Sequence, residues 1–511
     1  MTKAAASPGE GFYENPATYS GVPWTLRINL PRGELSTFYS FPEGAPAEEH
    51  CRGLACYAAR SLNPEGWKRA VSQNPPTYCL GKCYAGPSDS FLGGRPIVEV
   101  RSRRAIVLRH MVKGPVTSLD EYLSLGGMAG LERAMSIGQA AVIEEVKRSG
   151  LRGRGGAYFP TGLKWESAYR QQSSEKYVVV NGDEGDAGAY IDRFLMEWDP
   201  YLVLEGAMIA AYAVGARKVY FYVRREYPLA AASVRRAVRE LRDAGYLGES
   251  ASRGPRVEVE VHVGKGSYVV GEETAMINAI MGRRPEPTPR PPYPTERGLF
   301  GRPTVVNNVE TLASVPWILE NGGEAYASLG VNRSRGTKVL SLNSLFERPG
   351  LYEVEFGARL RDVVYEMGGG LKGGRRLKAV MVGGPLAALI RPEELDVQVG
   401  VEELRAIGAS LGHGNVIAFS DDSPVVDILH EVVHFAAFES CGKCFPCRLG
   451  TSRLDAILCK AKDRGRLTKE EAEEVMRVAE TMSAASLCGH GQSTGQAVTV
   501  TLRKFWDESV G

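Results

Sequence analysis

The sequence has no apolar run of the ~18 residues that a membrane-crossing helix needs. Its best candidate, Gly206 to Ala216, is too short and follows Glu205 directly. It has no excess of either charge: 62 basic residues against 60 acidic ones argue against nucleic acid as a default partner. No basic-then-apolar segment opens the chain, so no secretory signal is expected. Cysteine is sparse, nine in 511 residues, which excludes a secreted disulfide scaffold. What remains is a soluble cytoplasmic chain of several domains, with no direct membrane span and any membrane association made through partners.

What the chain has is glycine. Residues 150–165 read GLRGRGGAYFPTGLKW, with glycine interleaved with Arg152, Arg154 and Lys164. Glycine lets the backbone approach a ligand closely. Successive inward amides make a concave anion site, and the cations suit a phosphate. A plain glycine-rich surface loop is the bland alternative, but the set of cations and the following Phe159-Pro160-Thr161-Gly162 are hard to reconcile with turn chemistry alone.

The few cysteines are informative by spacing. Cys51 and Cys56 form C-x4-C, Cys79 and Cys83 form C-x3-C, and Cys441, Cys444 and Cys447 form C-x2-C-x2-C, with Cys488 further on. In a long intracellular chain such spacing points to iron–sulfur or metal ligation. For the first four, zinc is the alternative to a 2Fe–2S cluster. Cys459 falls in LDAILCK and is expected to be a buried apolar thiol.

Along the chain, residues 1–20 read as a flexible arm and Trp24–Leu30 as a strand. Cys51 to Lys68 reads as loop then helix, Pro96–Leu108 as strand-rich, and Ser118–Tyr122 and Ala141–Arg148 as helix. From 150 to 330 strands at Tyr177–Val180, Lys218–Val223 and Arg256–Val263 alternate with helices at Tyr201–Ala216, Ala232–Ala244 and Gly271–Met281. That rhythm predicts a parallel sheet, with ligands at the carboxyl ends of its strands. The loops Asn181–Gly188, Gly264–Tyr268 and Pro303–Thr311 fall there. Residues 335–425 read as a small strand-rich module, in which His413 between two glycines is given no role. Residues 426–511 read as helical, with helices at Val425–Phe438 and Thr468–Met482.

GLRGRGGAYFPTGLKW, NGDEGDAGAYIDR, GEETAMINAIMG, PPYPTERGLFGRPTVVNNVETL and ESCGKCFPC occur in that order. This resembles the NADH-binding flavoprotein subunit of respiratory complex I, and the diaphorase subunits of NAD-linked hydrogenases and formate dehydrogenases. The resemblance implies a multidomain α/β protein. Its parts would be a thioredoxin-like 2Fe–2S domain (21–110), connector helices (111–149) and a Rossmann-like FMN/NADH domain (150–330). A β-grasp domain (335–425) and a helical 4Fe–4S domain (426–511) would follow.

By the same resemblance FMN is expected at Gly153, Arg154, Gly155, Lys164, Asn181, Asp183, Tyr268, Gly271, Glu272, Asn307, Asn308 and Thr311. NADH is expected at Phe159, Asp186, Glu273, Arg290 and Tyr293, with Asp186 tuning the flavin. The 4Fe–4S ligands would be Cys441, Cys444, Cys447 and Cys488, and the 2Fe–2S ligands Cys51, Cys56, Cys79 and Cys83.

Four positions depart from the family pattern. Tyr158 replaces a glycine, Asp186 a glutamate, Arg290 a lysine and Tyr293 a phenylalanine. A ring at position 158 is expected to narrow the nucleotide pocket or to move its own backbone, so that Tyr158→Gly would change nucleotide affinity more than folding. Arg290 leaves NADPH open, and Glu273, repulsive to a 2′-phosphate, favours NADH. Only 22 residues separate Cys56 from Cys79, fewer than the family's thioredoxin-like domain has.

The expected function is an NADH:acceptor oxidoreductase subunit within a larger complex, beside a 2Fe–2S subunit and a formate dehydrogenase or hydrogenase catalytic subunit. Only 23 residues follow Cys488, with no C-x2-C-x2-C-x3-C-P run, which tilts the expectation to the formate dehydrogenase type. The alternatives are a hydrogenase or complex I-like assembly, or a relay subunit that no longer binds NADH.

Overall fold

The structure is a computed structural model that describes residues 48–511; the expected arm and the Trp24–Leu30 strand lie outside the described residues. Among the described residues twelve strands, β1 (Ile97–Val100) to β12 (Asn415–Ser420), form two sheets and one short hairpin.

The first sheet is wholly parallel, in the order β4 (Glu258–Val263), β3 (Lys218–Val223), β2 (Tyr177–Gly182), β5 (Thr304–Asn308). β2, β3 and β5 carry buried β-branched and aromatic runs, as a parallel sheet requires, and the edge strand β4 alternates and is mostly half-buried. The helix Pro200–Val214 starts on an Asp199 cap with proline at its first position and stops at Gly215 in the left-handed region. Fourteen of its residues are buried, because Gly206 lets it lie directly on the backbone of Leu312 in the helix Val309–Asn321. That is why its apolar run is so long, and no described helix is long and apolar enough to cross a membrane.

β5 stands where a loop is expected. Its Thr304-Val305-Val306 core is β-branched, and it pairs with β2 so that Asn307 and Asn308 stand beside Val180 and Asn181. Two strand ends rich in side-chain amides are thus brought together.

The second sheet is mixed, in the order β1, β9 (Gly350–Glu355), β8 (Thr337–Leu342), β12, β10 (Leu377–Val382), β11 (Leu389–Ile390). The hairpin of β6 (Gly330–Val331) and β7 (Ser334–Arg335) precedes it. The buried Lys338 ammonium on β8 meets the Glu310 carboxylate, which also accepts from the Val339 amide, and this joins the two halves.

The N-terminal segment differs from its expected form. Of Pro96–Leu108 only β1 is strand, and it pairs parallel with β9 at the edge of the second sheet. The Glu353 carboxylate accepts the amides of Ile106, Val107 and Leu108 and the Thr337 hydroxyl, fixing the residues that follow. Residues 48–96 hold short helices, Leu54–Ala58 and Pro64–Ser72, and no strand. A separate strand-rich domain is therefore absent among the described residues of 21–110. The segment is stitched into the rest of the chain.

Four long helices, Val425–Phe438, Phe445–Arg464, Lys469–Ala485 and Gly489–Lys504, and a short one, Trp506–Ser509, close the chain. Thr468 and Glu471 form a capping box at the third. Cys459 is exposed, a correction to the expected buried thiol. The buried face of its helix runs through Leu454, Ile457, Leu458 and Ala461, and position 459 falls off that stripe.

Candidate functional site

The glycine stretch folds back on itself: the Gly153 amide donates to Phe159 O (2.9 Å) and the Thr161 amide to Leu151 O (2.9 Å). It then lies across the ends of β2 and β5. A Cβ on Gly155 would stand 3.1 Å from that of Asn308, and the Arg154 amide donates to Thr311 Oγ1 at 2.8 Å. Asn181 Nδ2 donates to Gly271 O (2.9 Å) and Asn181 Oδ1 accepts the Asp183 amide (3.1 Å). The Trp165 indole donates to Asn307 Oδ1 (2.8 Å), and Glu272 caps the helix Glu273–Ile280 through the Thr274 and Ala275 amides. Gly153, Gly155, Asn181, Asp183, Gly271, Asn307, Asn308 and Thr311 are therefore brought to one place.

Asp183 is the telling member. Its Oδ2 is buried without a hydrogen-bond partner, and burial pushes the carboxyl up to about 8. An orphaned polar atom here fits a ligand with its own hydrogen-bonding edge.

Glu273 is held between two cations, Lys164 Nζ at 3.0 Å and Arg290 Nη1 at 2.8 Å, and Lys164 also reaches Val306 O at 3.1 Å. Burial raises its pKa, but the two cations outweigh burial and keep its carboxyl low. Phe159 and Tyr293 are each 53% exposed, so both rings offer a free face beside the loop. Asp186 is half-buried and accepts from the Tyr268 hydroxyl at 2.7 Å; desolvation raises its carboxyl and that hydrogen bond opposes the rise. The second sheet reaches over it through Gly384, whose missing Cβ would lie 2.6 Å from Asp186 Cγ.

Two expectations change. The Arg154 guanidinium does not face a phosphate: it is buried and donates to Arg152 O, Tyr326 Oη and Arg335 O. Only its amide belongs to the loop surface. Tyr158 does not narrow the pocket either. Its backbone is left-handed (φ 54°), its ring packs into the core of the second sheet, and its hydroxyl donates to Gly412 O at 2.9 Å.

The sequence reading missed the support beneath these loops. His413 Nε2 lies 3.1 Å from Glu184 and 3.2 Å from Asp192, all three buried. Burial opposes its charge, but the two carboxylates outweigh burial and hold it well above the ordinary histidine range. Asp192 also accepts from Asn308 Nδ2 (2.6 Å), and Glu184 accepts the amides of Ile191, Asp192 and Arg193. The one signal in the sequence was Asp192, an acidic residue directly after the apolar Ala189-Tyr190-Ile191; Glu184 was hidden among the other acidic residues of the 181–188 loop.

The cysteines form two groups on either side of the loop 181–190. Cys441, Cys444, Cys447 and Cys488 line one cavity with Val269, Leu487 and His490. Cys441 and Cys444 come from the link before the helix Phe445–Arg464, Cys447 from its first turn, and Cys488 from the cap of the helix Gly489–Lys504. Ser440 Oγ is 3.3 Å from Cys447 Sγ, and the Leu487 amide is 3.5 Å from Cys444 Sγ. Tyr268 connects this group to the loop, packing on His490 while its hydroxyl holds Asp186.

Cys51, Cys56, Cys79 and Cys83 are all buried, with Cys79 and Cys83 sulfurs 3.7 Å apart. The Gly188 amide donates to Cys83 Sγ at 3.2 Å and the Gly81 amide to Cys79 Sγ at 3.3 Å. Arg193 donates to Gly81 O and Arg224 to Cys79 O, clamping the C-x3-C loop onto the parallel-sheet unit.

Comparison with known proteins agrees with this layout. Residues 146–317 match the Nuo51 FMN-binding domain, and residues 427–510 match the NADH-ubiquinone oxidoreductase-F iron-sulfur binding region. The chain is 39% identical over 392 residues to NADP-reducing hydrogenase subunit HndC of Solidesulfovibrio fructosivorans, covering 76% of this chain and 80% of that one. It is 37% identical over 414 residues to an NADH-quinone oxidoreductase subunit of Aquifex aeolicus, covering 81% and 95%. Among solved structures, a chain of an NAD+-reducing [NiFe]-hydrogenase in the H2-reduced state superposes with a TM-score of 0.77 at 29% identity, covering 95% of this chain and 88% of that one. With its glycine loop set over the strand ends and its cysteine cavity beyond Tyr268, the chain belongs to the NADH-quinone oxidoreductase family of FMN- and 4Fe–4S-binding subunits.

Proposed function

We propose that the chain is a diaphorase subunit, exchanging electrons between NAD(H), FMN and iron–sulfur clusters within a larger assembly. The observation that carries this reading is the convergence of the 153–155 loop, Asn181, Asp183, Asn307 and Asn308 on one side of Tyr268, with four cysteines on the other. FMN bound there would accept hydride and release single electrons.

The residues' own tasks follow from their geometry. The loop amides and the Asn181, Asn307 and Asn308 side chains orient the flavin. Phe159 and Tyr293 offer ring faces to a nucleotide. Glu273 is a hydrogen-bond acceptor for a ribose diol, and because Arg290 is engaged by Glu273, the pair favours NAD(H) over a 2′-phosphorylated nucleotide. Asp186, held by Tyr268, sets the local field. Cys441, Cys444, Cys447 and Cys488 would hold the 4Fe–4S cluster.

For the other quartet a 2Fe–2S cluster is the proposed occupant, with zinc the alternative. The support is the C-x4-C and C-x3-C spacing and the burial of all four thiols together, with Cys79 and Cys83 sulfurs 3.7 Å apart.

The domain division proposed is connector 111–149, FMN/NADH unit 150–330, β-grasp-like unit 335–425 and helical cluster unit 426–511, preceded by a stitched-in cluster segment. The catalytic partner proposed is of the hydrogenase or complex I-like kind. The formate dehydrogenase partner rests on the sequence resemblance alone.

The test is flavin absorbance of the reconstituted protein: NADH should bleach the flavin. No bleach at saturating NADH would sink the enzyme reading and favour the relay alternative. Chains that co-purify from the native host identify the partner.

A further inference from the structure

The helix hairpin that carries Cys441, Cys444 and Cys447 has a second set of ligand atoms, away from the sulfurs. His430 and His434 stand four residues apart on the helix Val425–Phe438, and so on one face. Asp455, on the facing helix Phe445–Arg464, points between them. Its carboxylate is 3.2 Å from His434 Nδ1 and 3.5 Å from His430 Nε2, and the three ligand atoms are mutually within 4.8 Å.

We propose that His430, His434 and Asp455 bind a divalent cation of the zinc class, which clips together the two helices flanking the Cys441–Cys447 loop. Around a tetrahedral ion with bonds of about 2.0–2.1 Å, neighbouring ligand atoms stand about 3.3 Å apart. The observed 3.2 and 3.5 Å bracket that edge.

The ligand set is two imidazoles and one carboxylate, a donor set zinc accepts. The surroundings leave it available. Lys462 Nζ takes Glu431 at 3.1 Å, whereas the ion-pair partners of Asp455 among the described residues are the two histidines. The buried His430 ring makes no hydrogen bond at Nδ1, which faces Glu431 at 3.7 Å on the side away from Asp455 and leaves Nε2 as the ligand atom. His434 and Asp455 are 32% and 28% exposed, which gives the ion an entry path and a fourth position open to water.

The consequence is mechanical. His434 lies seven residues before Cys441 and Asp455 eight after Cys447, so the ion would pin both arms of the loop that supplies three thiolates. This rests on residues outside the flavin and cysteine sites and stands or falls independently of the diaphorase reading.

The holoprotein, with flavin and clusters in place, is incubated with zinc sulfate, desalted, and measured for zinc, iron and FMN beside His434→Gln and Asp455→Asn. The parent should retain one zinc per chain that both variants lack, with iron and FMN unchanged. Zinc should raise the melting temperature of the parent only, and X-ray absorption should show nitrogen and oxygen ligands at about 2.0–2.1 Å. No retained zinc in the parent would overturn the proposal. So would equal zinc in parent and variants, or sulfur ligands at about 2.3 Å, which place the ion among the cysteines.

Discussion

The two cysteine quartets are chemically alike and placed in opposite ways. Cys51, Cys56, Cys79 and Cys83 are buried to 1% exposure or less, beneath loops that the Arg193 and Arg224 guanidinium groups hold down. Cys441, Cys444 and Cys488 are only partly covered, on a helix hairpin at the outside of the chain. A cluster's potential depends on its exposure and on hydrogen bonds to its sulfurs. The interior quartet is built into the fold, and the peripheral one is partly open to solvent.

Cys488→Ala should have the largest effect on function. It removes the one cysteine of this quartet that lies outside the 441–447 segment, so the cubane iron and electron delivery to partner chains should be lost while NADH still bleaches the flavin. Iron analysis and stopped-flow absorbance read this. Cys83→Ser should lose iron from the other quartet and lower the melting temperature further than Cys488→Ala does. The reverse ranking would break the interior-versus-peripheral contrast.

Tyr158→Gly, remote from both quartets, serves as the control. Loss of a buried ring outweighs relief of a left-handed backbone, so stability should fall by about 2–4 kcal/mol. Iron content and the Michaelis constant for NADH should stay at parent values.

Asp183 lies between the quartets, in a cavity lined by Tyr78, next to Cys79, and by Glu439, two residues before Cys441. Its folded pKa is raised from 3.8 to about 8, so across that interval the folded flavin-free chain holds a proton that the unfolded chain releases. Its stability therefore falls as pH rises, by at most about 1.4 kcal/mol per unit. Asp183→Asn should flatten the slope in melting temperature between pH 5 and 8, and an unchanged slope would assign it to other groups. Tyr268→Phe should do least to stability, about 0.5–1.5 kcal/mol for one hydrogen bond. A shift in flavin potential in that variant would show that Tyr268 sets the field through Asp186.

Much of this was legible in the sequence, because alternating and helical periodicities are local. Lys218–Val223 and Val425–Phe438 are the elements expected. β5 was hidden by its polar Asn307-Asn308 end, and the docking of β1 by its distant partner. Side-chain direction was not legible. Arg154 reads as a phosphate ligand until Tyr326 and the Arg335 carbonyl are seen to occupy it, and His413 reads as idle until Glu184 and Asp192 are seen on either side.

The pairing of β1 with β9 also sets an order of events during synthesis. Ile97 meets Gly350, so roughly 250 further residues must be made first, on the order of 10–50 s at the usual rate of translation. Until then the Cys79–Cys83 loop is held by Gly188, Arg193 and Arg224. The Ser344 amide that donates to Cys83 O arrives with the second sheet, so the surroundings of the interior quartet are completed late in synthesis.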